Sequence, residues 1–212
     1  MSKQPAGRPR KESDRQVRDA LLTAAIALFS EQGFDKVGIR HIAAKAGVSF
    51  GLIRHYFGTK DALIAATTEL VLTELKKAYT EILDDIDVSD GQAYIDQLLE
   101  RAITLLSPNL DLLFYLSRLA SLDTDDAHNA FRTYFQIIRQ DIDRLEAAGK
   151  LRVDANKVWL TFQIIFAQLG PVFLAGPIEA IIGRPAHDPD VLVARNRELA
   201  SVFKFGFLAK EG

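Results

Sequence analysis

The chain contains no cysteine, and that absence removes two chemistries at once. Disulfides and thiolate metal sites are excluded, which suits a reducing cytosol. Histidine is scarce as well. His41, His55, His128 and His187 are scattered, and none sits at metal-ligand spacing from another histidine, so neither a metal nor a cofactor is expected. The sequence also lacks a P-loop, a G-x-G-x-x-G, an H-E-x-x-H and a G-x-S-x-G, the short motifs that place phosphates, dinucleotides, catalytic zinc or a nucleophilic serine. An enzyme is therefore not expected. Nowhere do β-branched residues alternate in a bounded run, so strands are not expected either. The polar, basic N-terminus does not resemble a signal peptide, and a cytoplasmic protein is expected.

One uncharged stretch is much longer than any other. Val158 to Ile178 has no charged residue across 21 positions, long enough to span a bilayer. It reads better as buried protein, because Thr161, Gln163 and Gln168 are costly in lipid and Gly170-Pro171 and Gly176-Pro177 are expected to break the helix. No membrane partner is expected. Elsewhere the charge is unevenly placed. Residues 1 to 60 hold 11 Lys and Arg against 5 Asp and Glu, while residues 61 to 212 hold 15 against 23, which returns the formal net charge of -2. A basic front on an acidic remainder suits a DNA-binding head on a regulatory body, since phosphate attraction needs cations at one end only.

Within that basic front, VGIRHIAAKAGVSFGLIRHYFGTK (Val37 to Lys60) organises the rest. Ile39, Ile42, Ala43 and Ala46 fall at helical spacing and gather on one face. That helix is predicted to stop at Gly47, and Ser49 is predicted to cap a second helix beginning at about Phe50. Two short helices joined by a tight glycine turn make a helix-turn-helix, whose second helix can enter the DNA major groove. Ile53 and Phe57 would pack back with Val48, leaving Gly51, Arg54 and His55 on the reading face. Arg54 can donate two hydrogen bonds to guanine, and Tyr56 and Lys60 suit phosphates.

Around this motif the pattern is helical throughout. Residues 1 to 12 have almost no apolar content and form a basic arm, predicted to be disordered, in which Gly7, Arg8, Pro9, Arg10 and Lys11 could lie in a minor groove. Ser13 and Gln16 have capping-box spacing for a helix that ends before Gly33. Residues 13 to 60 form the head and 61 to 212 the body. Thr59 can cap a long helix from Lys60 to about Asp84 that connects the two. Further helices are predicted over residues 92 to 106, ended by Ser107-Pro108, then 110 to 122, 125 to 148, 156 to 175 and 190 to 208, with a Gly/Pro-rich bend over residues 176 to 189. In the last helix Arg195, Arg197 and Glu198 alternate with Leu199, Val202, Phe203 and Phe207, as when one side meets a partner copy and the other meets water.

An all-α chain with an N-terminal helix-turn-helix and a large helical remainder thus follows from the residues. The segment from Arg15 to Thr67 also resembles the TetR family of bacterial transcriptional regulators, through ALLTAAIALFSEQGFDKV followed by IRHIAAKAGVSFGLIRHYFGTKDALI. The IA-x-x-AGVS turn, the HYF ending and the lysine before an apolar helix carry the resemblance. It implies a homodimeric repressor on a roughly palindromic operator of double-stranded DNA. A small-molecule effector would be held in the body, and a four-helix bundle from the last two helices of each subunit would form the interface. By the same resemblance DNA contacts fall on Arg40, Phe50, Gly51, Leu52, Arg54, His55, Tyr56 and Lys60. Gly38 stands where the family often has a capping Thr, and Arg54 where it often has Tyr.

For the body, candidate effector-binding residues are Phe114, Arg118, Tyr134, Trp159, Gln163 and Gln168, with Phe135 beside them. Arg118 is the only cation in LDLLFYLSRLASL and, facing inward, would need an anion such as a ligand carboxylate. The others offer an aromatic wall with a few polar handles; for any one of them simple core packing is the stronger reading, as a surface position or an internal acidic partner is for Arg118.

Overall fold

A computed structural model describes residues 10–106 and 109–208. Among them are ten helices: α1 (Arg10–Gln32), α2 (Ile39–Lys45), α3 (Gly51–Phe57), α4 (Lys60–Leu83), α5 (Gly91–Leu106), α6 (Leu110–Ala120), α7 (Asp125–Ala147), α8 (Lys157–Phe173), α9 (Ala175–Ile182) and α10 (Pro189–Phe207). The one departure from helix and loop in the described residues is an isolated antiparallel bridge between Leu151 and Leu208. The all-α expectation holds.

Local chemistry sets most boundaries. The Thr59 hydroxyl accepts from the Ala62 amide at 3.1 Å, Thr124 does the same for Ala127, and Asn156 for Trp159, so α4, α7 and α8 each start on a side-chain cap. Gly33 and Gly47 take positive φ angles of 82° and 69°, ending α1 and the turn after α2 in a conformation that costs glycine little.

Four boundaries differ from expectation. α1 begins at Arg10, so Ser13 lies inside the helix and is not its cap, and the basic arm ends earlier than residue 12; its first nine residues lie outside the described residues. The break at Ser107-Pro108 also lies outside them. α3 has Phe50, not Ser49, at its N-cap, without a side-chain bond. α8 continues through Pro171 to Phe173. The expected bend after it is instead helix α9 up to Gly183, whose φ of 73° closes that helix. Proline removes one donor and crowds the preceding turn; so close to the C-terminus of α8 only a short stretch has to tolerate it.

One contiguous core runs from head to body. Leu21, Leu22, Ala25, Leu28 and Phe29 of α1 are buried with Phe34, Ile42 and Ile53, forming the expected floor of the helix-turn-helix. The same cluster continues through Leu63, Val71 and Leu75 of α4 into α6 and α7. α4 therefore runs unbroken out of the head and is packed in the body. The α10 side chains Phe203 and Phe207, read as facing a partner, are buried and belong to this subunit's own core, where α10 packs along α5. No single helix among the described residues is long and apolar enough to cross a membrane; α8 and α9 pass by length and composition only as a pair bent by 71°.

Candidate nucleic-acid interface and body cavity

α3 divides its side chains as its spacing requires. Ile53 is buried and Phe57 half-buried, while Gly51, Arg54 and His55 are exposed together, so one face is anchored and the other is free to meet a ligand. Leu52 is half-buried at the edge between them. Phe50, at the N-terminus of α3, is 56% exposed and lies under the Arg40 guanidinium, 5.5 Å from its ring centroid. Arg40 comes from α2, so both helices contribute to one basic, partly aromatic surface. An apolar edge of this kind suits a thymine methyl, and an arginine suits guanine or phosphate.

Two of the expected phosphate contacts have other engagements. Lys60 donates from Nζ to the Phe34 carbonyl at 2.6 Å, tying the start of α4 to the loop after α1. Tyr56 donates to Asp14 of α1 at 3.3 Å. Desolvation, with the Asp14 carboxylate beside it, pushes the Tyr56 phenol up from its ordinary value, so it remains a neutral donor. The Gly38 N-cap of α2 carries no side-chain bond, as expected from the missing threonine.

The body holds a cavity of about 90 Å³, predominantly apolar and lined by side chains from α4 to α10. Of the six candidate residues, Phe114 and Gln168 line it. Tyr134 stands behind Gln168, donating its hydroxyl to Oε1; burial holds that phenol well above its ordinary range. The other three lie elsewhere. Trp159 and Gln163 are exposed on the outer face of α8. Arg118 is exposed and donates to the carbonyls of Ser30 at 3.4 Å and Glu31 at 3.3 Å. It thus covers the C-terminal end of α1, where unsatisfied carbonyls favour a cation.

Residues that spacing did not single out complete the wall. Asp141 is 3% exposed and accepts from the Tyr94 hydroxyl. Burial raises its carboxyl from 3.8 to about 6, against the Tyr94 hydrogen bond and the Arg144 charge, which lower it. Arg195, read from the sequence as facing water, is half-buried and lines the cavity with Asn196 and His187. A signal was available: Leu192, Arg195, Asn196 and Leu199 fall at helical spacing on one face.

Comparison with known proteins agrees with this layout. The family described as "Bacterial regulatory proteins, tetR family" matches residues 21–67, covering the second half of α1, all of α2 and α3, and the start of α4. The regulator BetI 2 of Chromohalobacter salexigens is 36% identical over 83 residues, which is 39% of this chain and 40% of that protein. The chain therefore aligns with less than half the length of that relative. A TetR transcriptional regulator from Chloroflexus aurantiacus superposes with a TM-score of 0.71 at 18% identity, over 94% of this chain and 100% of that one. A regulator named FadR from Bacillus subtilis, solved with stearoyl-CoA, gives 0.70 at 14% identity over 89% and 98%. At such identities the last two speak for the fold alone.

Proposed function

The chain belongs, through its N-terminal domain, to the TetR family of bacterial regulatory proteins, and from that premise we propose a cytoplasmic, homodimeric transcriptional repressor that leaves its operator when a small molecule enters the body. The observation that carries it is the division of α3, with Ile53 anchored in the core and Gly51, Arg54 and His55 presented outward beside Arg40 and Phe50. A helix held from behind and cationic in front fits the major groove. Arg40, Phe50, Gly51, Leu52, Arg54 and His55 form the contact surface, with Tyr56 and Lys60 at its edge.

Dimerisation is supported by an outer face that the subunit itself leaves bare. Trp159, Phe166 and Phe173 recur every seventh residue along α8, each at least half exposed, and Val202 and Phe205 of α10 are exposed as well. Exposed aromatic groups repeating along one helix favour burial against a second copy. A two-fold pair places its reading helices about 34–36 Å apart, one turn of DNA.

Release follows if filling the cavity favours a different spacing of the heads, because a ligand moves an equilibrium only by its differential affinity. α4 is the lever, since Tyr79 and Ile82 at its far end line the cavity while its first turn holds Phe34 through Lys60. Anisotropy of the protein against DNA flanking its coding region and scrambled DNA, at several salt concentrations, tests the proposal. Tighter binding to the flanking DNA by about a thousandfold at moderate salt supports specific regulation. Equal binding that fades in parallel with salt indicates phosphate contact alone, and selection from random DNA then separates a distant operator from a head that reads no sequence.

A further inference from the structure

Arg195 is the cation on the cavity wall that has no counter-ion. Its Nε and Nη2 donate to Asn196 Oδ1 at 3.2 and 2.9 Å, and Asn196 in turn donates to the Leu99 carbonyl at 2.9 Å. No carboxylate of the described residues lies within ion-pair distance of it, whereas Arg139, Arg152, Arg184, Lys157 and Lys204 all have one. Burial disfavours its charged form, with no neighbouring charge offsetting that. The guanidinium is thus oriented by a buried amide, partly desolvated, and left with donors to spare.

The rest of the wall fixes the shape of what would meet it. Leu192, Arg195, Asn196, Leu199, Phe203 and Phe207 line the cavity from one end of α10 to the other, a length of about 22 Å at 1.5 Å per residue. A free volume of only about 90 Å³, set against apolar lining that runs the length of α10, favours a linear chain over a bulky fused-ring compound. Beyond Arg195 the α10 wall carries Leu199, Phe203 and Phe207, with no charge among them. The other charged lining group, Asp141, is already supplied with a proton donor by Tyr94 and lies beside Arg144, so it does not call for a cationic ligand.

We propose that the cavity takes an anionic amphiphile, an unbranched aliphatic chain lying along α10 with a single carboxylate or phosphate head paired to Arg195. This rests on the reading of the cavity as the effector site. Arginine offers a planar fork that matches both heads, and pairing would relieve the cost of a half-buried unpaired charge.

The test is calorimetric titration of the full chain with dodecanoate, dodecyl phosphate, dodecanol and dodecylamine, all in monomeric solution. The expected result is that at least one anionic compound binds about tenfold or more tightly than the alcohol, with the amine weaker still; dodecanoate and dodecyl phosphate between them identify the head. Arg195→Met removes that preference while leaving dodecanol affinity in place, and Arg195→Lys restores part of it. The retained dodecanol binding also shows that the variant is folded. Equal affinity for anion and alcohol, preference for the amine, no binding by either anion, or a preference that persists in Arg195→Met overturns the proposal. Operator release is read separately by anisotropy. An anion that binds without releasing DNA counts against the repressor mechanism and not against this site, whereas release by a neutral compound alone does the reverse.

Discussion

Thr67 of α4 and Tyr115 of α6 meet through their hydroxyls at 2.8 Å, both side chains fully buried. Tyr115 also contacts the Thr68 hydroxyl at 2.9 Å and the Ile64 carbonyl at 3.2 Å, and its ring packs edge-on against Phe29 and Phe34. Head and body are joined at this point. Burial pushes the phenol up to about 12, although the two threonines lower it, so it stays neutral across the working range. Tyr115→Phe should lower stability by about 1–2 kcal/mol, because Thr67 keeps its bonds to Leu63 and Ile64 while the pairing across the junction is lost. Urea unfolding measures it. A Thr67→Val, Tyr115→Phe double variant should cost less than the sum of the two singles.

Arg54 stands on the exposed face of α3 with its neighbours Gly51 and His55. Arg54→Ala should leave the melting temperature unchanged and reduce discrimination between operator variants by about 1–3 kcal/mol at one base pair. Anisotropy against a set of single-base operator variants reads it. A uniform loss over all sequences would place Arg54 on phosphate instead.

Lys60 should behave differently, because its ammonium is spent on the Phe34 carbonyl at 2.6 Å. Lys60→Ala is expected to destabilise the free protein by about 1 kcal/mol as well as to weaken DNA binding without regard to sequence. A variant that loses only DNA affinity, with unchanged unfolding, would show that the intramolecular bond contributes nothing.

Asp141 sets a pH dependence. Its carboxyl is raised by burial from 3.8 to about 6, so the folded chain holds this proton more tightly than the unfolded chain. The group therefore favours folding below pH 4, and that contribution is lost as pH rises to about 6, a total of about 3 kcal/mol. Above that pH the cost is constant. Asp141→Asn should flatten this part of the stability profile in unfolding measured from pH 4 to 7. A profile that is unchanged would mean that Tyr94 and Arg144 offset the burial fully.

Phe166 is 54% exposed and stacks on Phe162 at 5.9 Å between centroids. Phe166→Glu should convert the proposed dimer to a monomer in sedimentation velocity while preserving the helical content and the thermal transition of the subunit. Operator affinity should fall by orders of magnitude, since two linked half-sites are replaced by one. An unchanged dimer would place the interface on another face.

The helix-turn-helix was legible because everything that defines it is local. The left-handed Gly47 in the turn after α2, the Thr59 cap of α4 and the inward set of α3 depend on residues within one or two helical turns, and each appears where spacing placed it, although α2 itself stops two residues before Gly47. The joint exposure of Gly51, Arg54 and His55 follows from the same periodicity, whereas the wider set proposed to meet DNA came from the family resemblance. The destinations of the long polar side chains depended on the tertiary structure. Arg118 reaches α1 across 88 residues of sequence and Lys60 reaches Phe34 across 26, while Arg195 turns toward the cavity although its charge pointed to water. A flexible stem with a charged end can satisfy several surroundings at similar cost, so the choice among them is made by which helices pack together. The same holds for α8, where continuity through Pro171 depends on how α8 and α9 meet, and for α10, which packs along α5 with Phe203 and Phe207 buried while Val202 stays exposed.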